Sequence, residues 1–336
     1  RGPQGTLYGR NATAGVVNVI SAKPTDQFEA MASADIGNYH NRRYEGMINI
    51  PVVDDRFDLR VAGEWTKRDG YSFNETTGKP IDGRDLWSSR VTLGFKPTEN
   101  LQSYLVWEHF QENDDRVRSA KQLCKKDPGP SSVDGLDLNT IDVVTEGVHH
   151  QAPYFHALLS QGCLPASFYS ADAYETPNGL SIPFVFFGAF IANVGGSDGS
   201  YMLKQVDPYA SNVQSRNLRV IQSALSPTYK AKNDVIELNT DYHVTPTLTL
   251  TSQTGYSRDQ LGSTEDFNRF NTTPGIFNNV RGTGYLDQPD LVTNGVYCDP
   301  QMGCSSKMVG EDLSREHAWQ FNQEFRLASN FQGPLN

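Results

Sequence analysis

Residues Phe57-Asp-Leu-Arg-Val-Ala-Gly-Glu-Trp-Thr66 alternate with period two: Phe57, Leu59, Val61, Gly63 and Trp65 share one face, and Asp58, Arg60, Ala62, Glu64 and Thr66 the other. Successive side chains of an extended strand point to opposite faces, so one face of this segment suits an apolar phase and the other suits water. The pattern recurs in both directions along the chain. In 87–96, Trp87, Val91, Leu93 and Phe95 oppose Ser88, Arg90, Thr92 and Lys96; in 235–244, Ile236, Leu238, Thr240, Tyr242 and Val244 oppose Glu237, Asn239, Asp241 and His243. Segments 28–36, 42–50, 101–111, 248–257 and 316–328 complete a set of eight strands, with the facing of 101–111 left open by its continuous run Leu105-Val106-Trp107.

The connections are short around 38–41, 51–56, 97–100 and 245–247, and long at 69–85, about 112–233 and about 258–315. Short turns at one end and long loops at the other is the arrangement of an outer-membrane β-barrel, with the long loops outside. A soluble β-sandwich also alternates, but a loop of that length is foreign to a compact soluble domain. The aromatic residues Trp65, Trp87, Phe95, Tyr256 and Trp319 at strand ends also suit a membrane interface.

Composition narrows the classes further. The chain has 29 Gly and 18 Pro in 336 residues, which argues against a helical bundle, and a net charge of −10, which argues against a nucleic-acid surface. The most apolar run, Ile182 to Val194, is too short for a membrane helix and contains Pro183 and Gly188. A barrel strand needs only about 9–11 residues, so a mean hydropathy of −0.52 is compatible with a membrane barrel. Eight strands close a barrel just wide enough to fill with side chains. A barrel of these eight alone would have no room for a further domain inside it.

The opening stretch, residues 1–24 (RGPQGTLYGRNATAGVVNVISAKP), is by its chemistry a glycine-rich turn before a short apolar strand, and it holds no phosphate-binding glycine pattern. As a string it closely resembles the end of the plug domain of TonB-dependent outer-membrane receptors. Gly37-Asn-Tyr39, Arg68-Asp-Gly-Tyr71 and Gln323-Glu-Phe-Arg-Leu-Ala-Ser329 resemble recurrent barrel phrases of the same family. The resemblance implies an all-β protein: residues 1–24 as the C-terminal part of a plug, and 25–336 as the N-terminal part of a transmembrane antiparallel β-barrel of 22 strands. It also implies residence in the bacterial outer membrane, contact with its lipid, and uptake of a scarce solute, such as a ferric siderophore or another metal chelate. Energy would come from the TonB complex acting on a segment that precedes this stretch. A passive porin-like diffusion channel is the alternative.

No nucleophile–base set or metal-ligand spacing stands out, so neither enzymatic activity nor a cofactor is expected. His149-His150, near Glu146 and His156, reads as a solvated loop, as do the acidic groups of Asn113-Asp-Asp115 and Asp134-Gly-Leu-Asp137. Cys298 and Cys304 are too far apart for a redox C-x-x-C pair and read as a small disulfide loop, which leaves Cys124 with Cys163 by locality; four cysteines allow three connectivities. The first long loop is dense in aromatics, among them Phe184, Phe186, Phe187 and Phe190. These form either a mini-core or an outer vestibule for an apolar or aromatic ligand. Alternation turns Glu237 and Glu324 to the lumen. The family resemblance matches Arg10 with Glu324, and less closely with Glu237, as a lock between plug and barrel; pairing of the carboxylates with a lumenal neighbour such as Arg326 is the alternative.

Overall fold

The computed structural model describes residues 14, 15, 17, 20–145, 148–150, 155–157, 159–179, 207–210, 212–267, 270–272, 292–294, 296–300, 303–331 and 333. Eight long strands pair antiparallel in chain order to form one sheet. They are β1 (Glu29–Gly37), β2 (Asn41–Val53), β3 (Phe57–Arg68) and β4 (Arg84–Thr98), then β5 (Leu101–Asp114), β6 (Thr228–Thr245), β7 (Leu248–Asp266) and β8 (Glu311–Ser329). The sheet is open, with β1 and β8 as its edges. The fold is that of a transmembrane antiparallel barrel wall.

The register explains why. Ile48, Val61, Val91, Trp107, Ile236, Tyr256 and Phe321 are successive cross-strand partners from β2 to β8. This row is apolar from end to end, yet Trp107 keeps 42% and Phe321 59% of its surface exposed. The next row toward the short turns, Ile50, Leu59, Leu93, Leu105 and Leu238, is also apolar. An exposed apolar band of this extent has its natural solvent in lipid. The inward row between them carries Asn49, Arg60, Thr92, Val106, Glu237 and Asn322. The facing of 101–111 is thereby settled: Leu105 and Trp107 point out, and Val106 is buried on the inner face.

The lower strand ends are staggered. Ala30 pairs with Ile48 close to the start of β1, whereas Phe321 lies far from the end of β8 at Ser329. About seven residues of stagger, roughly 24 Å, accumulate over roughly 34 Å across the sheet, a tilt of about 35°. That lies in the range of membrane barrels.

Short turns close one end. At the opposite end the first hairpin is equally tight: Asn41 N–H donates to Asn38 O at 3.2 Å, and Tyr39 and His40 adopt φ of 60° and 53°, as a type I′ turn requires. The other connections at that end build an outer cap. In it, Val220–Ile221 adds in parallel to the hairpin Ser72–Asn74 and Lys79–Ile81. Cys124, Tyr209 and Phe270 form a small buried core joined by Cys163.

Candidate functional site

The inner face of the wall is polar and internally paired. Arg43 Nε lies 3.0 Å from Glu64, Arg60 Nη1 3.1 Å from Glu29 and Arg90 Nε 2.5 Å from Glu108. Such pairs belong to a wet lumen, since a charge facing lipid is costly.

Residues 20–27 run along this face before turning into β1, and one side chain fixes them. Asn49 is fully buried. Its Oδ1 accepts the Thr25 N–H at 3.1 Å, while its Nδ2 lies 2.8 Å from Thr25 O, 3.1 Å from Thr25 Oγ1 and 2.6 Å from Gln27 O. Thr25 Oγ1 also donates to Glu29 Oε1 at 3.2 Å, and Glu29 is held in turn by Arg60. Upstream, Pro24 is buried against the wall at Gly94, where a Cβ would lie 3.5 Å from both Pro24 Cγ and Tyr104 Cε1. Lys23 Nζ sits 4.3 Å from the centre of the Tyr104 ring, close enough for a cation–π contact. The chain thus enters the lumen through a clamp of one carboxamide, one proline seat and one ion pair.

Next to the clamp is a lumenal cleft of about 1030 Å³ whose lining includes Ser21, Lys23, Glu237, Glu324 and Arg326. Glu237 and Glu324 both reach it, one on β6 and one on β8. Among the described residues neither carboxylate makes an ion pair, and neither does Arg326. Arg10, and the vestibule candidates Phe184, Phe186, Phe187 and Phe190, lie outside the described residues.

Sequence reasoning did not single out Asn49. The signal was available: a carboxamide sits at an inward position between Ile48 and Ile50, with Arg60 opposite. Its partners, Thr25 and Gln27, are more than twenty positions away, and no spacing rule links them.

Polar groups hold the outer cap together and, at Asp266, tie it to the wall. Asn74 Nδ2 donates to Ser223 O at 3.0 Å and its Oδ1 accepts Ser223 N–H at 3.1 Å. Asp266, at the top of β7, accepts Ala224 N–H at 2.9 Å and Gly310 N–H at 3.2 Å. Lys121 donates from its ammonium to the carbonyls of Ser215, Asn217 and Val220. Burial pushes its pKa down from the usual lysine value. Just past β5, Asp115 Oδ1 accepts the Gly83 N–H at 2.6 Å; desolvation raises its pKa, and the hydrogen bond from Gly83 opposes that rise. Cys124 is bonded to Cys163, and Cys298 to Cys304. Phe168 and Tyr169, from the aromatic-rich stretch, lie on the surface; the aromatics of the cap's core are Tyr209 and Phe270, 6.2 Å apart and edge to face.

No family model matches the chain. Among curated proteins it is similar to the pesticin receptors of Yersinia enterocolitica and Yersinia pestis, at 28% identity over 94 residues, which is 28% of this chain and 13% of theirs. Among solved structures it is similar to the open form of the ferric-catecholate import receptor Fiu from E. coli K12, with a TM-score of 0.50 and 15% identity over 99% of this chain and 36% of that one. It is also similar to the siderophore receptor PiuA from Acinetobacter baumannii, with a TM-score of 0.52 and 10% identity over 99% of this chain and 32% of that one. The chain spans about a third of the length of those structures. At this identity the likeness concerns the fold, and it agrees with the family resemblance carried by residues 1–24.

Proposed function

We propose that the chain is part of an outer-membrane receptor that imports a scarce solute, with a ferric siderophore as the best candidate, by binding and gated passage without covalent chemistry. Residues 1–24 are the end of a plug and 25–336 the first part of the barrel wall. The sheet's free edges need further strands, because unpaired backbone cannot face lipid. Energy would reach the plug from the TonB complex through a segment upstream of residue 1. The observation that carries the reading is the clamp: a segment preceding the first strand is anchored on the inner face of a lipid-exposed wall. A porin-like wall has no use for such an anchor. The ferric-catecholate import receptor and the siderophore receptor, by their names, support the solute class.

Arg10 is proposed to engage Glu324, and less directly Glu237, across the cleft. Their lack of ion-pair partners among the described residues supports this, since a carboxylate on a lumenal wall gains most from a bidentate arginine. The test is a deletion strain grown on iron chelates as sole iron source, complemented with the full-length receptor in cells with and without TonB. Uptake should require both proteins. In the same strain, Arg10→Ala and Glu324→Gln should each raise leakage of large antibiotics, and the double variant should leak no more than either single. Uptake that proceeds at full rate without TonB overturns the energised reading, and additive leakage overturns the lock.

A further inference from the structure

The first long excursion does not leave the rim directly. After β5, residues 115–119 turn inward and cross in front of β6 to reach β7 and β8. One end is held beside the start of β4: Asp115 O accepts the Asp82 N–H at 3.1 Å, Asp115 Oδ1 accepts the Gly83 N–H at 2.6 Å, and Val117 N–H donates to Asp82 Oδ1 at 3.4 Å. The other end is held by Arg118 and Ser119. Glu265 on β7 accepts the Arg118 N–H at 3.0 Å and the Ser119 hydroxyl at 3.2 Å. On β8 the Arg118 guanidinium donates to Ser314 Oγ at 2.9 Å and pairs with Asp312 at 3.0 Å. Glu265, Asp312 and Ser314 share the parity of Gly255 and Asn322, which line the lumenal cleft, so the segment is a strap across the inner face of the rim.

Beneath the strap lies a carboxyl group in poor surroundings. Glu112 on β5 faces inward and is 3% exposed; its Oε1 makes no hydrogen bond, and Arg116 Nε is 3.5 Å away. Arg116 belongs to the strap and sits over the Tyr229 ring on β6, 3.6 Å from its centre. Leu86, Ala231 and Leu261 lie alongside Glu112 in the same inward row on β4, β6 and β7, so the walls of this space are apolar. The charged groups turned toward Glu112 are Arg84 from β4, already paired with Asp82 at 3.0 Å, Arg116 from the strap, and Asp114 from its own strand. Asp114 accepts the Arg116 N–H and the Asp85 N–H, each at 3.0 Å.

Glu112 stands five residues above Trp107 on β5, roughly 14 Å once the strand tilt is counted, clear of the hydrocarbon. Two neighbouring carboxyl groups shut away from water resist ionising together. Burial first, and then Asp114, push the pKa of Glu112 from the usual 4.5 up to about 7, and Arg116 opposes the rise.

We infer that residues 115–119 are a proton-operated strap, closed across the inner face of the rim while Glu112 is protonated beside Asp114 and released when both carboxylates are ionised. The sign follows from linkage. In the released form Glu112 meets water and regains its ordinary value, so its contribution to closure is full below 4.5 and is lost as pH rises through about 7. Release frees the chain that lies over β6 and β7 and bares the inner face beneath it. The device belongs to the rim and is independent of which solute the lumen passes.

The experiment uses the full-length receptor in lipid bilayers, with nitroxide labels at Ala120→Cys, past the end of the strap, and Arg315→Cys on β8. Dipolar broadening between the labels is read from pH 5 to pH 8. It should fall as pH rises, with the closing constant down roughly fiftyfold over that range. Glu112→Gln, neutral at every pH, should keep the strap closed throughout. Asp114→Asn should shrink the change several-fold, which keeps the test decisive if Glu112→Gln folds poorly. Arg118→Gln should loosen the strap at every pH. Glu316→Gln, in the same inward row but three strands away, should leave the profile as in the parent. Broadening that ignores pH in the parent, that tightens as pH rises, or that changes as much in Glu112→Gln overturns the inference. Uptake at full rate without TonB strikes instead at the functional reading and leaves the titration of the strap untouched.

Discussion

In the wall, Trp107 is flanked by Val91 on one strand and Ile236 on the next, and the same short-range logic repeats along the whole row. In the cap, Tyr209 meets Phe270, Cys124 is bonded to Cys163, and Lys121 reaches carbonyls nearly a hundred positions away. The wall is redundant: each residue repeats a pattern that its neighbours also obey, and the loss of one member leaves the pattern in place. The cap depends on long-range ties whose partners no local pattern sets. Stability in the first is distributed, and in the second it is concentrated.

The contrast can be broken most sharply at the cap. Replacing both Cys124 and Cys163 with Ser should cost the cap about 4 kcal/mol, the value expected for a closed loop near 40 residues, while the wall stays intact. Limited proteolysis should then cut between 115 and 227 with heat-modifiable mobility of the barrel unchanged. Loss of barrel mobility would mean that the two regions are not separable. In the wall, Leu105→Lys places a charge in the apolar row nearer the bilayer centre and should cost about 3 kcal/mol, read as a lower denaturant midpoint for the whole barrel. A change confined to one hairpin would contradict the distributed picture.

Asn49 tests the boundary case, a unique tie located within the wall. Asn49→Ala removes the carboxamide's hydrogen bonds to Thr25 and Gln27 and should cost about 2 kcal/mol. Amide exchange should rise at residues 25–29 of the full-length receptor and stay unchanged in β4 to β8. The smallest effect concerns pH. The pKa of Asp115 is raised in the folded protein above the ordinary value of 3.8, so its contribution to stability is full below 3.8 and is lost as pH rises through the folded value. Asp115→Asn, which can still accept the Gly83 N–H, should flatten the pH dependence of cap proteolysis in that window and protect the cap at neutral pH. An unchanged profile would remove Asp115 from the account.

The same contrast decides what could be read from the sequence. All eight strands were legible, because Ile236, Leu238 and Tyr242 alternate with Glu237, Asn239 and Asp241. Their upper ends were not. Alternation marks 235–244, whereas β6 begins at Thr228; β7 runs on to Asp266, and β8 starts at Glu311. Over Lys230-Ala-Lys-Asn233 neither face is strongly apolar, so nothing in the residue types distinguishes inside from outside. The facing of Leu105-Val-Trp107 needed the neighbouring strands, because only register shows which of three apolar residues lies over lipid. At the candidate site, parity placed Glu237 and Glu324 in the lumen. It could not pair Asn49 with Thr25, nor Tyr209 with Phe270, because such partners are brought together by the fold as a whole.

The strand lengths have one more consequence. β1 has 9 residues, and β7 and β8 have 19 each, while crossing the hydrocarbon takes about 9–11. The long strands overshoot by some eight residues, roughly 22 Å once the strand tilt is counted, on one side of the mouth. On the other, the turn at Tyr39 and His40 ends almost level with the bilayer. Across these eight strands the outer rim is oblique, with a high parapet along β6 to β8 and a low sill along β1 and β2. Arg219 of the cap reaches down to that sill, donating to the Tyr39 hydroxyl at 2.6 Å. Along these eight strands, the rim comes nearest to the bilayer surface at Tyr39, and it is there that the cap leans on the wall.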